Sequence, residues 1–540
     1  MRDSRIRGSQ EMAPNLARLL PFWRRPPPPL PPPPPPAAPD VFVFAILLIA
    51  AAALVAVALC QSAAKKPGPI ATALRLLLWR GSRRKGRLTG LRFPISAAEL
   101  TCKDGVALLT TMLRKFGHLH DGERIASIHN LGVSITDGVK GDKALLEVEY
   151  DPPTIATRLP TRFFVKFNVG HLGPMRVLCE TSEVCKCEAH FYHDLCHADA
   201  TAWEATAPVQ VPRCFFVDYS EPSGEFCLVT ELLDFSDGSV APLKHRIRDR
   251  LTLDEQRLII EAGATLNARY WADGSHAASS STLCNVPRFA DTHRRMWWLA
   301  QASGLTGLAH TAARTLKGKA NLNERFMTWR VPEGIAGREL QLVREMPAIM
   351  RALCDEEGLL AFGHNDLLLD NVFFPARPAK GRPAVGLFDW QQACVNNVGQ
   401  EWAWNFHFLD PAFLDAHEAE MIDLVLATYA THGRKVDRAA FMRAYCLGTA
   451  QMFVWGGGGL QLLMGRLHKR GLLVDLQPND PRVLAPPAAG ASHTDPAVHE
   501  LLLGAEMTRR TFTNCCNIMR RHNFVRLWDE WRACAQSACN

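Results

Sequence analysis

Apolar positions change their rhythm along the chain. Residues 41–60, VFVFAILLIAAAALVAVALC, form an uncharged and predominantly apolar run, about the length of helix that crosses a ~30 Å hydrocarbon core. That run predicts a transmembrane helix over 41–62. From about residue 96 the pattern becomes globular. Alternating, β-branched or aromatic content predicts strands over 144–150, 162–167 and 225–233. Helical periods follow over 97–116, 180–195, 253–270, 338–354, 418–432 and 438–455. A strand-rich first third before a helical remainder predicts an α+β body of two lobes. The expected organisation is a basic, Pro-rich tail over 1–40, the membrane helix over 41–62 and a basic juxtamembrane linker over 63–95. An N-lobe over 96–235 and a C-lobe with a helical extension over 236–540 complete it.

Composition sharpens the first part more than the second. A chain of 540 residues with 47% hydrophobic content can bury a large core. Charge is uneven: residues 1–92 carry 15 Lys/Arg against 3 Asp/Glu, and residues 93–540 carry 46 against 51. The slightly acidic body excludes a general nucleic-acid-binding surface, and the basic tail points to an anionic membrane. Basic residues from Lys65 to Arg92 outnumber Arg24 and Arg25 on the other flank, so the positive-inside rule puts the body in the cytosol as a single-pass protein. A long-leader signal or organelle presequence is the alternative. Residues 26–39, PPPPLPPPPPPAAP, form a stiff polyproline II spacer or a ligand for a proline-rich-motif binder. The sixteen cysteines lack the regular spacing of a disulfide scaffold and read as reduced thiols.

Candidate chemistry is concentrated in HNDLLLDNVFF, from His364 to Phe374. A buried polar group costs on the order of 1–3 kcal/mol without a partner, so polar residues at fixed offsets among leucines mark a site. The stretch fits H-x-D-x-x-x-x-N, and Asp389 follows in AVGLFDWQ at the end of an apolar strand. Phosphoryl transfer needs one carboxylate to accept a hydroxyl proton, with a carboxamide and a second carboxylate to hold Mg²⁺ on nucleotide phosphates. On these motifs the chain resembles the aminoglycoside phosphotransferase and choline kinase group of the protein-kinase-like fold, within it the ecdysteroid-kinase-like members. The resemblance implies Asp366 as catalytic base, Asn371 and Asp389 as metal ligands, and His364 as a brace of the loop.

The same resemblance extends over roughly residues 98–455. Such a fold needs a strand lysine on the phosphates and a helix glutamate to hold it. Lys166 in FFVKF and Glu188 in the E-x-x-F-Y context take those places. The loop with Gly138 and Gly141 resembles the phosphate-covering loop, or is a plain hairpin. Glu231 to Leu233 falls where the interlobe linker presents backbone groups to adenine. The expected cofactors are ATP and Mg²⁺, and the expected partner is a small-molecule hydroxyl acceptor: steroid-like, amino-alcohol or sugar. There are departures. Asn365 replaces a glycine, Leu368 an Arg, His or Trp, and Asn267 a histidine, while the downstream brace aspartate is missing or displaced to Glu401. The rival class is a catalytically silent membrane scaffold with a kinase fold.

Other features admit blander readings. CETSEVCKCEAHFYHDLCH, residues 179–197, gathers Cys and His at helical offsets but matches no zinc module. No G-x-x-x-x-G-K-[ST] occurs. Trp297, Trp298, Trp402, Trp404 and Trp455 read as core or as a cation-binding cage. WGGGG, from Trp455, reads as a loop ending the helix over 438–455.

Overall fold

A computed structural model describes residues 85–132, 142–168, 183–197, 207–221, 223–233, 235, 251–272, 332–375, 383–469 and 496–537. All of them fall in one unit, Val57–Asn540. The membrane helix and proline block expected over 1–62 lie outside the described residues, as do Gly138, Gly141, Trp297 and Trp298. Among the described residues, no helix is long and apolar enough to cross a membrane.

The N-terminal part opens with α1 (Ala97–Thr101) and α2 (Gly105–Lys115) instead of one helix over 97–116. The break has a steric reason: a Cβ at Gly105 would overlap the Leu100 carbonyl, so the chain turns where only glycine fits. Strands β1 (Arg124–Asn130), β2 (Lys143–Asp151) and β3 (Arg162–Phe167) follow. Next come α3 (Val184–His190), a π-helical turn (Phe191–His197), β4 (Cys214–Tyr219) and β5 (Phe226–Glu231). The five strands form one antiparallel sheet in the order β1-β2-β3-β5-β4. Along β2 the buried positions alternate, Ala144, Leu146, Val148 and Tyr150, which is why its period-2 pattern is readable. β4 is buried at all six positions, so alternation cannot reveal it.

β4 is an edge strand, yet it is covered. Arg87 donates its backbone N–H to the Tyr219 carbonyl (2.8 Å), and the amides of Leu88 and Thr89 donate to the Asp218 carboxylate (both 2.9 Å). The Thr89 hydroxyl donates to it as well. Asp218 is fully buried in this contact, so residues 86–91 satisfy an edge that would otherwise be open.

The C-terminal part is helical with two small antiparallel pairs. It comprises α4 (Leu253–Arg269), α5 (Glu339–Asp355), β6 (Leu360–Gly363), β7 (Val372–Phe373), β8 (Gly386–Leu387) and β9 (Cys394–Asn397). It ends with α6 (Val398–Phe406), α7 (Pro411–Thr431), α8 (Arg438–Lys469), α9 (Pro496–Arg521) and α10 (Phe524–Ser537). α7 starts seven residues before its expected Glu418, because Asp410 caps the helix and Pro411 occupies its first position. α8 continues through WGGGG despite the low helix propensity of glycine, correcting the expected loop, and packs against α6 and α9. Trp528 of α10 is fully buried and donates its indole N–H to Glu345 of α5 at 2.8 Å. The expected α+β organisation, an antiparallel sheet before a helical part, is present.

Candidate active site

Separate segments supply the site, and two small strand pairings bring the 364–371 loop to the Asp389 turn. β6, apolar and buried throughout, delivers the chain to His364 and pairs with β9 from Leu360↔Asn397 to Gly363↔Cys394. The loop then runs to Asn371 and enters β7, which pairs with β8 at Val372↔Leu387 and Phe373↔Gly386. That pairing sets Asn371 beside Phe388 and Asp389: the Phe388 amide donates to the Asn371 carbonyl at 3.1 Å. An eighteen-residue sequence separation thus closes to one rung.

Asp366 is held by neutral donors. The Trp404 indole N–H donates to its Oδ1 (3.1 Å), and Asn371 Nδ2 lies 3.2 Å from its Oδ2 and 2.9 Å from its carbonyl. Asn405, the next residue on α6, accepts the Leu367 amide at 3.1 Å. Sequence reasoning placed Trp404 in a core or cage and missed both of these roles. Trp402 is core and donates to Tyr429. His364 is buried, donates through Nε2 to the Phe388 carbonyl (3.1 Å) and packs edge-on against Trp390. Burial pushes its pKa down to about 4, so it is a neutral brace at pH 7.

The departures from the family pattern are joined to one another. Asn365 sits at φ +55°, a left-handed conformation that asparagine tolerates better than most side chains. Its side chain donates to the carbonyls of Gly363 and Cys394 (both 3.0 Å) and accepts from Asn396 at 2.7 Å. Its amide donates to Glu401 at 3.0 Å, and Asn267 Nδ2 donates to the other Glu401 oxygen at 2.9 Å. The Tyr429 hydroxyl completes the chain by donating to Asn267 Oδ1 at 2.9 Å. Glu401 therefore lies under the loop, bonded to Asn365 and Asn267, and Gly363 permits it, since any Cβ there would overlap the carboxylate.

Burial raises Glu401 from 4.5 to about 7, against the pull of the Asn365, Asn267 and His364 donors. A raised folded-state pKa favours the protonated form. Its contribution to stability is complete below 4.5 and is lost as pH rises through about 7. Urea midpoints are expected to fall between pH 5 and pH 8, with Glu401 contributing on the order of 1–3 kcal/mol. Glu401→Gln removes that share; an unchanged fall in the variant would assign the effect elsewhere.

Lys166 joins the two parts of the fold. It lies on β3, opposite Lys143 of β2 and Leu228 of β5. Its buried ammonium meets Glu188 of α3 at 2.9 and 3.1 Å and Asp389 at 2.6 Å. Burial alone would lower its pKa, but the two carboxylates outweigh that and hold it above the ordinary lysine range. Asp389 lies at φ +62° with its side chain 39% exposed. Phe191, beside Glu188 on the π-helical turn, stacks on Trp390 at 3.6 Å, fixing α3 against the Asp389 turn. Glu231 turns its carboxylate to the Arg213 amide (2.8 Å), its carbonyl accepts the Thr230 hydroxyl (3.1 Å), and Leu233 is half-buried.

Asn371 and Asp389 offer oxygens, suited to a hard cation. Among the described residues no three His, Cys, Asp or Glu gather into a metal cluster; magnesium needs only one or two carboxylates beside phosphate and water. Of the Cys/His-rich stretch, residues 183–197 are described, and there His190 and His193 both turn onto Asp194, at 2.8 and 2.6 Å; Cys179 lies outside the described residues.

No family model matches the chain, and no curated protein does. Solved structures similar to it include small-molecule kinases. A microcompartment-associated aminopropanol kinase is 13% identical, covering 78% of this chain and 99% of that one, with a TM-score of 0.32. Choline kinase from Cryptosporidium parvum Iowa II is 11% identical over 75% and 93% of the two chains, with a TM-score of 0.37. The GDP and kanamycin complex of APH(2'')-IIia is 11% identical over 67% and 92%, with a TM-score of 0.32. Overlaps this shallow do not assign an activity.

Proposed function

We propose that the chain is an ATP- and Mg²⁺-dependent small-molecule kinase that phosphorylates an alcohol. The observation that carries this reading is Lys166, whose ammonium bridges Glu188 and Asp389 while Asp389 follows the strand paired with the one that Asn371 enters. Lys166, held by Glu188, would receive the nucleotide phosphates. Asp366 would take the proton of the acceptor hydroxyl, whose oxygen bonds to the γ-phosphorus. The bond to the β–γ bridging oxygen breaks, and ADP leaves with the electron pair. Asn371 and Asp389 would hold Mg²⁺, which supplies neutralisation of phosphate charge.

Calorimetry on the full-length chain tests this. Wild type is expected to bind ATP only with Mg²⁺, and Asp389→Ala to lose that binding by at least tenfold. A folded wild type that binds no nucleotide would leave the silent scaffold as the better reading. The apolar run at 41–60 and its basic C-terminal flank support membrane anchoring with the body in the cytosol. In sealed membranes, protease added outside is expected to digest the body; protection of the body would reverse the orientation.

A further inference from the structure

The strap ahead of α1 is held to the sheet through a single hydroxyl. Thr89 ends the turn of residues 87–89. Its hydroxyl donates to Asp218 Oδ2 and accepts the Leu91 amide at 3.1 Å, so one oxygen joins the strap to β4 and closes the turn on itself. The Gly86 amide reaches the Leu91 carbonyl at 2.7 Å, and a Cβ at Gly86 would overlap the Asp218 carboxylate. The seat is too close to admit a larger group.

Asp218, fully buried, receives the amides of Leu88, Thr89 and Tyr219 and the Thr89 hydroxyl. All four donors are neutral, so none of them would offset a second negative charge at the seat. The outer face of the turn is basic: Lys85, Arg87 and Arg92, at −4, −2 and +3 from Thr89, are exposed, and Arg83 and Arg84 precede them in the sequence. A half-buried threonine in such a turn is complementary to an acidic substrate groove. While the strap is docked the hydroxyl faces Asp218, so a modifying enzyme draws on the undocked population.

We infer that Thr89 is a phosphorylation site for a basophilic protein kinase acting in trans, and that the phosphate keeps residues 86–91 off β4. The Thr89 oxygen bonds to the γ-phosphorus of ATP and its proton passes to the base of that kinase; the bond to the β–γ bridging oxygen breaks, and ADP leaves with the electron pair. Phosphothreonine has lost the O–H donor and carries about −1.5 to −2 charge at pH 7. Redocking would press that anion onto the Asp218 carboxylate. With the strap away, the Tyr219 carbonyl loses the Arg87 amide and β4 becomes an open sheet edge. None of these steps depends on phosphoryl transfer by the chain itself.

The test treats the full-length chain with the catalytic fragment of protein kinase C and Mg²⁺–ATP, maps phosphate by mass spectrometry and follows amide hydrogen exchange. Phosphate is expected on Thr89, with exchange across residues 86–91 at least tenfold faster than in the untreated chain and exchange in β5 unchanged. Thr89→Val, treated in the same way, should show no change in exchange on treatment. Gly86→Ala crowds the seat from the strap side; it should speed exchange of the strap without any phosphate and raise the rate of Thr89 phosphorylation at least threefold. No phosphate on Thr89 in either wild type or Gly86→Ala would overturn the site. Phosphate on Thr89 with strap exchange unchanged or slowed would overturn the release, and equal phosphate without the added kinase would overturn modification in trans.

Discussion

Asp366→Ala is expected to lower turnover by about 10²–10⁴-fold, the usual loss when a positioned general base is removed, while Mg²⁺–ATP affinity stays within about threefold. The separation follows from the geometry. Asp366 bonds to Trp404 and Asn371, whereas the lysine expected to hold phosphate contacts Glu188 and Asp389. ADP release with a productive alcohol gives the first quantity and calorimetry the second. Asp366→Asn keeps the shape and removes the base, and should lose turnover to a similar degree. Wild-type turnover in either variant would exclude Asp366 as the base.

The second large effect concerns Lys166→Met. The substitution preserves much of the side-chain volume and removes the cation from Glu188, whose side chain is 1% exposed. Breaking a buried pair from one side costs about 3–5 kcal/mol, because the remaining charge has no compensation. The urea midpoint should drop accordingly, and nucleotide binding should be lost. Lys166→Met combined with Glu188→Leu removes both charges, and is expected to recover most of the stability and none of the nucleotide affinity. A double variant that regains nucleotide binding would show that the pair serves folding only.

Lys166, Glu188, Asp366, Asn371 and Asp389 were legible because each stands in a short local pattern: a strand, a helix, a loop of fixed spacing. Their convergence was legible only through the family resemblance, since the Lys166–Asp389 contact spans 223 residues. What local pattern could not show is the support beneath them. Asn267, Asn365 and Glu401 each look like a lapse when taken singly; together they form one connected hydrogen-bond network. β1 escaped because it is a mostly exposed edge with few apolar residues, and β4 because full burial erases alternation. The start of α7 was written in Asp410-Pro411 and was passed over for the more apolar turns that follow.

The Asp218 contact has a mechanical consequence. Any pull along the chain from the N-terminal side of Lys85 reaches β4 first at the Arg87 amide on the Tyr219 carbonyl and next at the Leu88 and Thr89 amides on the Asp218 carboxylate. Load enters at one edge of the five-stranded sheet, with β5 between that edge and the Lys166 strand. Tension from that side would load residues 86–91 at the sheet edge before it reached the loop around Asp366.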